Sequence, residues 1–121
     1  MPFVGLTFQT YVVRPKLGRA DERSPDFVLP EHLAGYERSS ESLLVAAVRD
    51  SDEVTVGMGG GWRLIHTGRP DVLLVKAAEV NEPYAGTGID RELVDVLTKF
   101  AEQQSILQVF IPAEVQQQLE S

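Results

Sequence analysis

The sequence contains no cysteine, which removes disulfides, thiolate nucleophiles and cysteine-ligated zinc from consideration. It has two histidines, His32 and His66, far apart in the chain. A metal centre would need distant carboxylates, and none is expected. Basic side chains are in deficit, with 11 Lys and Arg against 18 Asp and Glu for a net charge of −7. Duplex nucleic acid and anionic membrane are poor partners for such a surface. No run of eighteen apolar residues is present, so no transmembrane helix is expected. Met1-Pro2-Phe3-Val4 lacks the basic stretch that opens a secretory signal, which gives a cytoplasmic location as the expectation. Neither a phosphate-loop motif nor a nucleophile elbow occurs.

What remains is ordinary globular chain. Its 121 residues are 43% apolar and 24% charged, enough for one core. Residues 1–60 carry six basic and nine acidic groups and residues 61–121 five and nine, so no charge step marks a boundary and 1–121 reads as one domain.

Alternation of Val4, Leu6, Phe8 and Val12 predicts a strand over 3–13. Residues 14–38 interrupt the pattern with Pro15, Gly18, Pro25, Pro30 and Gly35, and Pro30 can open one helical turn that Gly35 closes. So long a connection is a candidate recognition arm, expected to be mobile or ordered by a partner. Its cations Arg14, Lys16, Arg19 and Arg23 would suit an acidic protein or small acidic ligand.

A helix capped by Ser39 or Ser40 is predicted to reach Arg49, with Leu43, Leu44, Ala47 and Val48 inside. Val54 to Met58 and Trp62 to His66 read as two strands of a hairpin with Gly59-Gly60-Gly61 at its flexible tip. His66 then reads as a partly buried structural residue. Gly68-Arg69-Pro70-Asp71 signals a turn, and Val72–Val75 opens a central strand running to about Val80. Ile89, Leu93, Val96, Leu97 and Phe100 share one face of a second helix. Residues 106–111 form the last strand, and 112–121 a short helix or tail. The fold class is α+β: a single domain with a four- to five-stranded mixed sheet, two main helices on one face, and the order β-(long loop)-α-β-β-β-α-β. Apolar residues in the last strand and tail predict a homo-oligomer.

Val80, Tyr84, Gly86, Gly88, Ile89 and Leu93 fall at the spacing of the strand–loop–helix segment of the GCN5-related N-acetyltransferases. With flanking strands included, residues 72–111 resemble that family. The resemblance implies an acetyltransferase-like fold, with acyl-CoA held by Tyr84, Gly86, Thr87 and Gly88 at a helix N-terminus. Loop 84–90 departs from the family twice, with Ala85 in place of a basic residue and Asp90 in place of a small one. Weak acyl-CoA binding is therefore expected. Thr87-Gly88-Ile89-Asp90 also fits a capping box, with the Thr87 hydroxyl accepting from the Asp90 amide. Glu79, late in an apolar strand, is a candidate base. Pro2 directly after Met1 resembles the tautomerase superfamily, which would make its amine catalytic. No complete catalytic constellation is present. The leading expectation is an acidic binding or regulatory module without a cofactor, recognising a protein or small ligand. An acetyltransferase-like or tautomerase-like enzyme is the alternative.

Overall fold

A computed structural model describes residues 4–14 and 31–120. The strands are β1 (Leu6–Val13), β2 (Glu37–Arg49), β3 (Thr55–His66), β4 (Arg69–Val80) and β5 (Gln108–Phe110); the helices are α1 (Ile89–Gln103) and α2 (Ala113–Glu120). The sheet order is β1-β2-β3-β4-β5. The first four strands form an antiparallel meander, and β5 joins β4 in parallel after the α1 crossover. This is the expected α+β single-sheet class. Among the described residues there is one β-α-β unit, β4-α1-β5, rather than two such halves. The sheet therefore departs from the layout that the tautomerase resemblance required, and Pro2 itself lies outside the described residues.

The helix expected from Ser39 or Ser40 to Arg49 is strand β2. Its apolar run carries both a helical stripe and a continuous buried strand, and pairing decides between them. β2 is bonded to β1 on one side and β3 on the other, so both of its edges are satisfied. Leu43, Val45 and Ala47 alternate onto one face and are fully buried.

The expected hairpin tip at Gly59-Gly60-Gly61 is the middle of the single strand β3. These glycines permit close approach rather than a turn. A Cβ on Gly57 would lie 3.3 Å from the side chain of Leu93 on α1, and one on Gly61 would lie 2.7 Å from the Leu74 carbonyl oxygen. The actual reversal is at Thr67-Gly68, where Gly68 has φ +85°. Between Gly60 and Gly61 the register slips, with partners Ala77 and Val75. Lys76 is the extra residue of a bulge on β4. Its ammonium stands 5.4 Å from the Trp62 ring centroid, and the Arg38 guanidinium is 4.6 Å from the same ring.

Ile89, Leu93, Leu97 and Phe100 of α1 pack with Leu43, Val45, Val56, Leu73 and Val75 on one sheet face. Val115 and Leu119 of α2 join the same cluster, so both helices lie on that face. The opposite face holds a smaller cluster of Leu33, Tyr36, Trp62, Leu64, Val72 and Leu74. It is roofed by the predicted single turn at Glu31–Leu33, which ends at Gly35 with φ +92°.

Candidate functional site

The β4–β5 ladder contains three pairs, Val72–Gln108, Leu73–Val109 and Leu74–Phe110. From Val75 to Val80, β4 stays bonded to β3 on one side while its β5-side edge is left open. At the end of that stretch the Asn81 amide donates to the Val56 carbonyl at 2.8 Å, which anchors the exit to β3. A 3-10 turn, Glu82–Tyr84, follows with Pro83 in its first turn, where no amide donor is needed. Gly86 and Gly88 have φ values of +76° and +89°, a region in which a Cβ is strained. α1 begins at Ile89 with Gly88 as its N-cap.

Thr87 is not a side-chain cap. Its hydroxyl donates to the Tyr84 carbonyl at 2.5 Å, back into the loop, and Asp90 Oδ1 accepts from the Arg91 amide at 2.9 Å. With φ positive at Gly88, the left-handed residue takes the capping position and Thr87 sits one residue outside it. The expected capping box is therefore replaced by a hydroxyl-stabilised turn. Among the described residues, nothing accepts a hydrogen bond from the amides of Gly86, Gly88, Ile89 and Asp90. Four N–H groups of one loop and first helical turn are thus available to an anion.

Gly86, Gly88 and Asp90 edge a cleft of about 500 Å³ lined also by Val80, Tyr84, Thr87, Arg91 and Gln118. Tyr84, Gly86, Thr87 and Gly88, the predicted ligand-binding residues, all line it. Arg91 was not anticipated. It supplies a cation from the second residue after Ile89, where the resemblance would place one at position 85. Its Nε donates to the Leu119 carbonyl at 2.7 Å. Gln118 was equally invisible, because α2 reaches the cleft through tertiary packing; its side-chain amide donates to the Ala78 carbonyl. Only the exposed Arg91, inside the first turn beside an anion-binding motif, carried any signal in the sequence.

The other candidates do not gather here. Glu79 is exposed, pairs in register with Met58, and lies on the face away from α1, since its neighbour Val80 packs into the α1 cluster. Arg14 is exposed, and its Nε donates to Glu41 at 2.9 Å. Lys16, Arg19 and Arg23 lie outside the described residues, as does most of the expected recognition arm. Arg63 bridges Glu41 and Asp71 at 3.0 and 2.7 Å, so Arg14, Glu41, Arg63 and Asp71 form one chain of charges. The Arg14 hydrogen bond, aided by the charges of both arginines, holds the Glu41 carboxyl below its ordinary value. His66 is half-buried, with its ring 5.2 Å from that of Tyr36 and Nδ1 2.6 Å from the Thr67 carbonyl. Among the described residues no group of three or more His, Asp or Glu could hold a metal. No described helix is long and apolar enough to cross a membrane.

No family model matches the sequence, and no curated protein matches it. Solved structures do match the fold. The ribosomal-protein-alanine N-acetyltransferase of Brucella melitensis biovar Abortus 2308 aligns with TM-score 0.57 and 19% identity, over 94% of this chain and 87% of that one. An aminoglycoside acetyltransferase from an uncultured soil metagenomic sample, solved with sisomicin, gives TM-score 0.56 and 18% identity over 88% and 77%. An acetyltransferase of Trypanosoma brucei gives TM-score 0.53 and 15% identity over 60% of this chain. The chain spans about half the length of that last protein, 52%. At these identities the likeness is one of fold. The chain shares the fold of these acetyltransferases, which is the fold that the resemblance of residues 72–111 to the GCN5-related N-acetyltransferases implied.

Proposed function

We propose that this protein binds an acyl-CoA-type ligand, a diphosphate joined to a thioester arm, in the cleft between the end of β4 and the start of α1. The observation that carries this reading is the set of four amides, at Gly86, Gly88, Ile89 and Asp90, with no acceptor among the described residues, three of them on residues that line a 500 Å³ cleft. A diphosphate needs several convergent donors, and a helix N-terminus supplies them with a favourable dipole. The β5-side edge of β4 beyond Leu74 leads from these amides into the sheet and offers backbone groups to an amide-containing arm. The fold likeness to acetyltransferases supports the same direction.

The sequence alone argued for weak binding, because Ala85 removes a cation and Asp90 adds an anion. Two features of the cleft answer this. Arg91 brings a cation to its lining, and the Asp90 carboxylate accepts from the Arg91 amide. Asp90 and Glu92 both stand in the first turn, so Arg91 offsets one of its two negative charges. Acyl transfer is a narrower matter. Glu79 lies on the other face, and the Tyr84 hydroxyl accepts from Arg49 Nη1 at 2.8 Å. The reading therefore commits to ligand binding and leaves no described residue in the role of base.

Calorimetry with acetyl-CoA and with a pantetheine fragment lacking the diphosphate tests it. Acetyl-CoA should bind with micromolar affinity and the fragment at least about a hundredfold more weakly, as for a ligand losing a few charge-assisted hydrogen bonds. Equal affinities, or no heat from acetyl-CoA at millimolar concentration, would overturn the reading.

A further inference from the structure

We propose that α2 is a strap over this cleft: its last turn occupies two hydrogen-bonding groups that a ligand would use, and ligand entry releases it. The inference rests on the acyl-CoA reading above and adds a means of control to the same site.

The first group is the Ala78 carbonyl. Successive carbonyls of a strand point to opposite edges. The Ala77 and Glu79 carbonyl oxygens lie 3.4 and 3.1 Å from where Cβ atoms on Gly59 and Gly57 of β3 would stand. The Ala78 carbonyl therefore points the other way, into the gap left where the β5 ladder stops at Leu74–Phe110. Gln118 donates its side-chain amide there. The second group is the Arg91 guanidinium, whose Nε donates to the Leu119 carbonyl. A cation at the carbonyl end of a helix is favourable, so this contact fastens the same turn. One acceptor on the open edge of β4 and one cation of the cleft lining are thus both held by consecutive residues of α2.

The other half of α2 has a different footing. Val115 is buried in the core, the Gln116 amide donates to the Pro112 carbonyl at 3.0 Å, and its side chain donates to the Ile111 carbonyl at 3.0 Å. α2 has eight residues and no basic residue in its last turn. A helix so short holds its end only through tertiary contacts. The ligand and the strap compete for Ala78 and Arg91. Its arrival exchanges two strap contacts for two of its own, and residues 118–120 lift while Val115 stays in place.

The test compares wild type with Gln118→Ala, a change at an exposed position, by amide hydrogen exchange and by acetyl-CoA titration. Without ligand, the last turn of α2 should exchange about five- to tenfold faster in the variant while α1 is unchanged, the value of one neutral hydrogen bond. The variant should bind acetyl-CoA tighter by a similar factor. In wild type, acetyl-CoA should slow exchange at 86–91 and speed it at 118–120. Unchanged exchange in the free variant, or equal or weaker affinity, would overturn the strap alone. Absence of binding by both proteins would overturn the strap together with the acyl-CoA reading.

Discussion

Arg49, the last residue of β2, donates from Nη1 to the Tyr84 hydroxyl at 2.8 Å, which ties the far end of a central strand to the loop that shapes the cleft. The same guanidinium pairs with Asp52, Nε to Oδ1 at 2.8 Å and Nη2 to Oδ2 at 2.6 Å. The Asp52 hydrogen bond first, and then that of Tyr84, hold Arg49 protonated above its ordinary range. The fork is geometrically specific because a planar guanidinium meets its partners in fixed directions.

Removing the Tyr84 hydroxyl should therefore loosen the loop and leave the helix. In Tyr84→Phe, amide exchange over 81–88 should rise several-fold with that over 93–101 unchanged, since one hydrogen bond is lost and no core contact. Exchange measured by mass spectrometry checks this. An equal rise in α1 would mean that the fork stabilises the whole domain.

The glycines of β3 should respond unequally. Gly61→Ala places a methyl 2.7 Å from a backbone oxygen that cannot rotate away, and 3.0 Å from Leu73 Cδ1. A loss of about 1–3 kcal/mol is expected from such overpacking. At Gly59 the nearest atoms are 3.4 Å away, so Gly59→Ala should change stability by less than about 1 kcal/mol in either direction. Urea denaturation of the two variants distinguishes them.

Thr87→Ala should cost about 0.5–1.5 kcal/mol through the lost bond to the Tyr84 carbonyl. The start of α1 should not move, because Gly88 and not Thr87 holds the cap position. Backbone chemical shifts at 88–91 report the helix start. Loss of helical shifts there would restore the capping box.

Acid should weaken the fold through Glu41. Its carboxyl is depressed in the folded chain, from an ordinary value of 4.5, chiefly by the Arg14 hydrogen bond. A depressed carboxyl contributes stability that is full above the unfolded value and lost as pH falls through the folded one. The melting temperature should drop below about pH 4.5. Glu41→Gln should be less stable than wild type at pH 7, by at most about 1 kcal/mol given its partial exposure. The difference should vanish near pH 3. A gap that persists at low pH would locate the effect in packing instead of charge.

The parts of the fold that were legible in the sequence were those with one dominant local signal. The 3.6-residue period of Ile89 to Phe100, the apolar run of Val72–Val75 and the Gly68 turn each admitted a single structure. Ser42 to Val48 did not, because seven residues of mixed aliphatic sequence serve a helix stripe or a two-sided strand equally well. Only pairing decides for the strand, with β1 some thirty residues earlier on one edge and β3 across the next turn on the other. The triple glycine failed for a related reason. Glycine marks turns and close approaches alike, and the approach of Leu93 and Leu74 is a tertiary fact. At the cleft, Tyr84 to Gly88 were readable from spacing. Gln118 reaches the site from forty residues away, and no local pattern announces it.

The most direct measurement is a titration of nitrogen-15-labelled protein with acetyl-CoA, following the amides of Gly86, Gly88, Ile89 and Asp90. The account predicts saturable shifts at these four amides in the micromolar range, larger than those elsewhere on the sheet. Shifts confined to other residues, or none at millimolar ligand, would contradict it.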